Sequence, residues 1–222
     1  MAKKQDKKFE KQEEKLQEVN EKLTGAGSWI EQHQKGLSRA FTIIVVLAFG
    51  FWAYNHFIAE PKRSAAQQAL NESMSNLLYS NDLTGAAESF AETADSYSNK
   101  YGKTAALFAG ICYYQLNDFE TAVDYLARFD GDDMHFKALA KQQLGDAYVE
   151  LEDYEAAVEA FEAAAKTDNA VIAPMSLKKA GIVYLNTLKD TEAAYEAFTT
   201  IKEKYPTSKE AQDIDKFIEL AK

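Results

Sequence analysis

Three short phrases recur along this chain at nearly fixed spacing: Leu107-x-x-Gly110-Ile-Cys-Tyr113, Leu144-Gly145-Asp-Ala-Tyr148 and Ala180-Gly181-Ile-Val-Tyr184. Their glycines lie 35 and then 36 residues apart. After each comes a turn (QLNDFE, ELEDYE, TLKDTE) and a second segment in which alanine precedes a large apolar residue by four positions. Those pairs are Ala122/Leu126, Ala157/Phe161 and Ala194/Phe198. Self-similarity at such a period means a stack of small units, none able to bury its apolar face alone.

Each unit reads as helix–turn–helix. Only 3 prolines and 10 glycines interrupt 222 residues, and the Ala-, Glu-, Lys- and Leu-rich segments favour helix over strand. A small residue where two helices cross, with a large one filling the gap, is the tetratricopeptide (TPR) pattern of about 34 residues. The fold class expected is therefore all-α, a TPR-type α-solenoid over 60–222 with four repeats. Residues 65–79 with Ala86-x-x-x-Phe90 predict a degenerate first unit without the glycine. A one-residue insertion falls between Tyr184 and Ala194. Tyr205-Pro206 ends the last repeat, and a capping helix is expected over 208–222, since a solenoid otherwise exposes its final apolar face. Tyr113, Tyr148 and Tyr184 take the core slot of the first helix in each pair, and Phe161 and Phe198 that of the second.

A second feature stands apart. Residues 40–59 hold no formal charge, and as a helix they span about 30 Å, the thickness of a bilayer's hydrocarbon core. FTIIVVLAFGFWAY offers no polar face. Trp52 and Tyr54 lie toward the far end, where amphipathic rings suit a headgroup boundary, and Asn55 and His56 weaken that end. A cleaved signal peptide has a short start, a shorter apolar run and small residues at the cleavage site. Here 39 residues precede the run, and Phe57-Ile58-Ala59 puts a ring where a small group is needed. The expectation is an uncleaved single-pass anchor.

Lys35 and Arg39 on one side balance Lys62 and Arg63 on the other. The wider charge distribution sets the expected topology. Residues 1–39 hold nine Lys/Arg against seven Asp/Glu, whereas 60–222 hold sixteen against twenty-eight. Short basic tails are retained and long domains translocate. This places the tail in the cytoplasm and 60–222 across the membrane. The tail, 1–39, is expected to be helical. Phe9, Gln12, Leu16, Val19 and Leu23 form a short heptad-like seam, either a solvated helix or a pairing surface. Thr24-Gly25-Ala26-Gly27 reads as a hinge, and Ser28-x-x-Glu31 as a capping box for a short helix with Trp29 and Ile30.

Several functions fit poorly. An acidic domain repels nucleic acid and anionic lipid. The lone cysteine, Cys112, sits among Ile111, Tyr113 and Tyr114 and reads as a small buried apolar residue. His33, His56 and His135 are too scattered to meet in a metal site or serve one nucleophile, and no phosphate loop or nucleophile elbow is present. No enzyme is expected, with no catalytic, cofactor-binding or metal-binding residues and no small-molecule substrate. Asp130-Gly131-Asp132-Asp133 lacks the ligand alternation of an EF-hand and reads as an inter-repeat turn. Asn71-Glu72-Ser73 matches a glycosylation sequon inside a predicted helix.

Protein partners are the natural ligands of such a stack. The positions three before, one after and four after each glycine are expected to line the concave face, by packing or by partner contact. They are Leu107, Ile111 and Tyr114; Gln142, Asp146 and Val149; and Lys178, Ile182 and Leu185. This mostly apolar set, with one acid and one base, suits an extended or helical polypeptide. It lacks the Lys and Asn cluster that clamps a C-terminal carboxylate.

The segments AGICYYQLNDFETAVDYLARFDGDD, LGDAYVELEDYEAAVEAF and KKAGIVYLNTLKDTEAAYEAFTTIKEKYPTSKEAQDIDKFI resemble the single-span envelope TPR proteins of Bacteroidota. They are similar to the YfgM-like ancillary subunit of the SecYEG translocon, the likeness running over residues 38–222. The resemblance implies an inner-membrane protein with a periplasmic TPR domain that works beside the translocon and passes emerging clients to periplasmic chaperones. Two alternatives stay open: a structural subunit of an envelope assembly or secretion machine, and a TPR receptor of reversed topology.

Overall fold

The computed structural model describes residues 33–80 and 82–222, and the chain divides into two compact units, Met1–Pro61 and Lys62–Lys222. The heptad-like seam, the Gly25/Gly27 hinge and the Ser28–Glu31 capping box lie outside the described residues.

In the first unit, helix α1 covers 33–54 and runs into a π-helical turn, Asn55–Ala59. The helical stretch His33–Tyr79 contains one window long and apolar enough to cross a membrane. Its large side chains lie open: Phe41 is 68% exposed, Val46 63% and Phe51 74%. At its far end the Trp52 and His56 rings stack with centroids 5.4 Å apart, and Phe57 meets His56 edge-on at 4.9 Å.

The described residues of the second unit form a succession of helices: α2 (Glu60–Tyr79, entering the unit at Lys62), α3 (Leu83–Ser96), α4 (Lys100–Gln115), α5 (Phe119–Ala127), α6 (Met134–Glu150), α7 (Tyr154–Ala165), α8 (Ile172–Val183), α9 (Thr191–Lys204) and α10 (Ile214–Leu220). Pairs α2/α3, α4/α5, α6/α7 and α8/α9 fall where the sequence expects repeats. An aspartate opens every second helix. Asp82, Asp118, Asp153 and Asp190 accept from the backbone N–H of Gly85, Thr121, Ala156 and Ala193 at 2.9–3.3 Å, satisfying a donor the helix cannot pair itself. In the last three turns the residue before that aspartate is left-handed: Asn117, Glu152 and Lys189, at φ 62°, 60° and 59°.

The inserted residue of the fourth repeat is absorbed without disturbing this turn. Asp118 and Asp153 donate their N–H to Tyr113 and Tyr148, five residues back, whereas Asp190 donates to Tyr184, six back. The extra residue is wound into a π-helical turn, Tyr184–Leu188. A π turn adds one residue per hydrogen-bonded ring, so the cap downstream keeps its geometry.

The three glycines are where the helices of a pair come closest. A Cβ on Gly110 would lie 2.5 Å from Leu126, on Gly145 2.6 Å from the Phe161 ring, and on Gly181 2.4 Å from the Phe198 ring. Phe161 and Phe198 are 1% and 0% exposed, filling the gaps that the periodicity assigns to them. The first repeat has no such glycine. Fully buried Ser73 takes part in its crossing instead, its hydroxyl 2.8 Å from Ser89 Oγ and 3.2 Å from Thr93 Oγ1. The sequon at Asn71 therefore ends on a serine engaged in the core.

Four apolar clusters follow one another along the stack. Tyr113 packs against the first and second, Tyr148 against the second and third, and Tyr184 against the third and fourth. These half-buried tyrosines take the core slot expected of them and also join consecutive clusters. The expected capping helix over 208–222 is shorter: a 3-10 turn, Glu210–Asp213, precedes α10. Ile214 and Phe217 pack the cap onto the fourth cluster, with the Phe217 ring centroid 5.3 Å from that of Phe198.

Candidate interaction surfaces

The structure draws most of the nine nominated concave-face residues into the packing of the stack. Leu107 is fully buried in the second cluster and Gln142 is 4% exposed, so neither presents a side chain to a ligand. Ile111 and Tyr114 pack against the same cluster, Tyr114 meeting the Phe119 ring edge-on at 5.5 Å. Val149 packs on the third cluster and Ile182 and Leu185 on the fourth. The one acid and one base are spent internally. Asp146 receives Lys179 Nζ at 2.6 Å and 2.7 Å, and Lys178 reaches Asp213 at 2.5 Å while lying over the Phe217 ring. What remains for a partner along this face is the half-exposed edge of Ile111, Tyr114, Val149, Ile182 and Leu185.

Electrostatics follow from these contacts. Burial pushes the Asp146 carboxyl above the usual range, with Lys179 opposing the shift and Glu150 adding to it. Burial, then the charges of Asp146 and Glu150, raises the Tyr114 phenol. Burial alone pushes Cys112 up to about 11, which keeps the thiol protonated and unreactive. In the Asp130–Asp133 loop, Asp133 caps α6 through the N–H groups of His135 and Phe136, and Asp130 pairs with Lys103 at 2.7 Å.

Sequence reasoning missed the clefts lined by the second helices of successive repeats. Between α3 and α5 the chain crosses its own cleft. Arg128 gives Nη1 to Asp95 at 2.7 Å and Nη2 to the Ala94 carbonyl at 3.1 Å, and its guanidinium stacks over Tyr125 at 4.9 Å. Tyr125 donates its hydroxyl to the same Asp95 at 3.1 Å. The lock leaves a recess of about 380 Å³, lined by Asp95 and Arg128 themselves together with Lys103 and Asp130.

Between α7 and α9, over α8, the corresponding cleft is open, with a volume of about 430 Å³. Its apolar lining is Ala165, Leu177, Ala180, Ala193 and Ala197, and its polar margin includes Glu162, Glu196, Lys166 and Lys204. Tyr184 donates its hydroxyl to Glu162 at 2.7 Å, and burial with this bond raises the phenol far above its ordinary value. The Arg128–Asp95 lock has no equivalent here; instead Tyr205, just past α9, donates its hydroxyl to Asp168, just past α7, at 2.7 Å. The signal was present in the sequence: ten and seven residues after the capping aspartate, where the second repeat has Arg128 and Tyr125, the fourth has Thr200 and Ala197.

The family model for the tetratricopeptide repeat matches residues 75–133 and 143–209. The chain belongs to the tetratricopeptide-repeat family. TPR modules are protein–protein interaction scaffolds, generally without enzymatic activity, and this unit is such a scaffold. No curated protein matches the sequence. Among solved structures, the TPR unit is similar to the MamA protein, at 19% identity and TM-score 0.54, covering 70% of this chain and 89% of that one. It is also similar to a tetratricopeptide repeat protein from Parabacteroides merdae, at 17% identity and TM-score 0.57, covering 70% of this chain and 59% of that one. Likeness at this identity establishes the solenoid fold.

Proposed function

We propose that this is a single-pass inner-membrane protein whose TPR unit faces the periplasm and serves as an adaptor, beside the Sec translocon, for proteins being exported or folded there. The observation that carries the membrane part is the open apolar helix. Phe41, Val46, Phe49 and Phe51 are each more than half exposed within the charge-free stretch 40–59. Water tolerates such a surface poorly, whereas a bilayer solvates it. The adaptor part rests on the TPR unit, and the translocon assignment on the resemblance to the YfgM-like family. Such a protein needs a tether and an interaction module in one chain; the open apolar helix supports the first and the TPR unit supplies the second.

Two measurements test the reading. In spheroplasts with the outer barrier opened, added protease should digest 62–222, while intact cells protect it; digestion only after the inner membrane is lysed would overturn the topology. After mild detergent extraction, tagged protein should recover SecY-type subunits. Recovery of outer-membrane assembly components alone would replace the adaptor reading with that of a structural subunit.

A further inference from the structure

We infer that α2 is a lid: it lifts from α3 and α4 as one piece while the rest of the TPR unit stays folded, and so bares the apolar surface of the first cluster. The inference concerns the TPR unit alone and is independent of the membrane and translocon assignments.

Of the four first helices, α2 is the most weakly held. Of its 20 residues only Ala66 and Ser73 are buried, whereas α4 buries seven of 16, α6 six of 17 and α8 six of 12. In a stack each helix is held by its nearest neighbours, and an end helix has them on one side only. No large side chain of α2 is sealed. Leu70, Met74 and Leu77 lean on the first cluster while staying partly exposed, and Leu78 and Tyr79 in the last turn are 65% and 84% exposed. Its side-chain bonds to α3 and α4 include the Ser73 contacts with Ser89 and Thr93 and a bond from the Tyr101 hydroxyl to Gln67 at 2.9 Å. Such bonds add little net stability, because water takes their place once the helices part.

The weak joint lies inside the first repeat, between α2 and α3. Helix α3 is bound forward, to the second repeat. Phe90 is fully buried and stacks on Phe108 of α4 with centroids 5.5 Å apart. Asp95 takes both Tyr125 and Arg128, and the Ala94 carbonyl takes a second bond from Arg128. In the later repeats a glycine of the first helix is closed over by Leu126, Phe161 or Phe198 of the second; the first repeat crosses on hydroxyls instead. Parting that crossing breaks polar contacts and half-buried apolar ones, and leaves every fully buried large side chain in place. The surface uncovered belongs to the cluster of Ala87, Ala91, Ala105, Ala109 and Cys112. Opening of the least stable element exposes buried surface without global unfolding.

The protein carries its own probe. Cys112, the one cysteine of the chain, is 2% exposed and lies in this cluster. The full chain in detergent micelles is treated with a maleimide at increasing urea, labelling is followed by mass spectrometry, and the main unfolding transition is read by circular dichroism. Labelling should proceed below that transition with a far shallower urea dependence, since lifting one helix exposes little surface. Met74→Ala should label about tenfold faster, equivalent to about 1.4 kcal/mol, with the main midpoint in place. Gly145→Ala, which strains the third repeat, should lower the midpoint and leave labelling below the transition unchanged. Labelling that follows global unfolding overturns the inference, as does an equal rate in native protein and Met74→Ala. A Met74→Ala midpoint that falls in step with faster labelling puts α2 inside the cooperative unit and overturns it too. Faster labelling of Gly145→Ala does the same by moving the opening elsewhere. None of these outcomes bears on membrane insertion or on SecY recovery.

Discussion

The two described parts of this chain use apolar side chains in opposite ways. In the TPR unit Phe90, Phe161 and Phe198 are at most 1% exposed, each sealed by the small residues of a neighbouring helix. On α1, Phe41, Phe49 and Phe51 are 66–74% exposed and no facing helix covers them within that unit's described residues. Both segments are helical and rich in phenylalanine; they differ in period. In the repeats an apolar residue recurs with the helical turn and has a counterpart about 35 residues away, so one helix can cover the next. Residues 40–59 are apolar all round and have no counterpart. The first pattern makes its own interior, and the second leaves its apolar surface uncovered, which is the basis of the proposed span.

The largest expected effect cuts into the first pattern. Phe161→Ala should lower the stability of the TPR unit by about 3–5 kcal/mol, read as a fall in Tm by circular dichroism in micelles. The same truncation at Phe49 should leave that transition in place; equal losses at both would erase the contrast. Next, Phe49→Arg should spare the TPR transition yet release the protein from the membrane fraction, since a cation at the centre of a span costs about 2.5–3.5 kcal/mol on the insertion scale. Retention in carbonate-washed membranes would count against the span.

Gly145→Ala probes the crossing itself. Its methyl would meet the Phe161 ring at 2.6 Å, and overpacking of this kind costs about 1–3 kcal/mol. Urea titration should show a lower midpoint with unchanged slope, and an unchanged midpoint would mean that the crossing has slack. The smallest effect is at alkaline pH. Tyr205 donates its hydroxyl to Asp168 at 2.7 Å, and burial together with this bond pushes its phenol up to about 12. A phenol raised in the folded state binds its proton where the unfolded chain has lost it. Its contribution is therefore intact below about pH 10 and lost between about 10 and 12. Tyr205→Phe should flatten that part of the stability profile. A variant as alkali-sensitive as the native chain would assign the decline to other groups.

Much of the stack was legible because its determinants are local. Asp118, Asp153 and Asp190 cap helices from within their own turns, and Gly145 is small because Phe161, sixteen residues on, must pass it. The inserted residue near Tyr184 was visible as a count, but its fate as a π turn was not, since α-helical and π-helical windings share the same residues. The interaction face was the least legible. Ile111, Tyr114 and Leu185 repeat in register whether they face a partner or the next repeat. Only the packed arrangement shows that they lean on neighbouring clusters, and that Asp146 and Lys178 are spent on Lys179 and Asp213.

The sequence by itself determined the helices, their pairing, their order and the unusual character of residues 40–59, because periodicity, caps and charge-free length are properties of neighbours along the chain. The tertiary structure alone decided which surfaces stay open. Whether a side chain is sealed or free depends on residues about 35 positions away. Arg128 reaches Asp95 across one cleft and Tyr205 reaches Asp168 across its counterpart, pairings that exist only once those helices are packed.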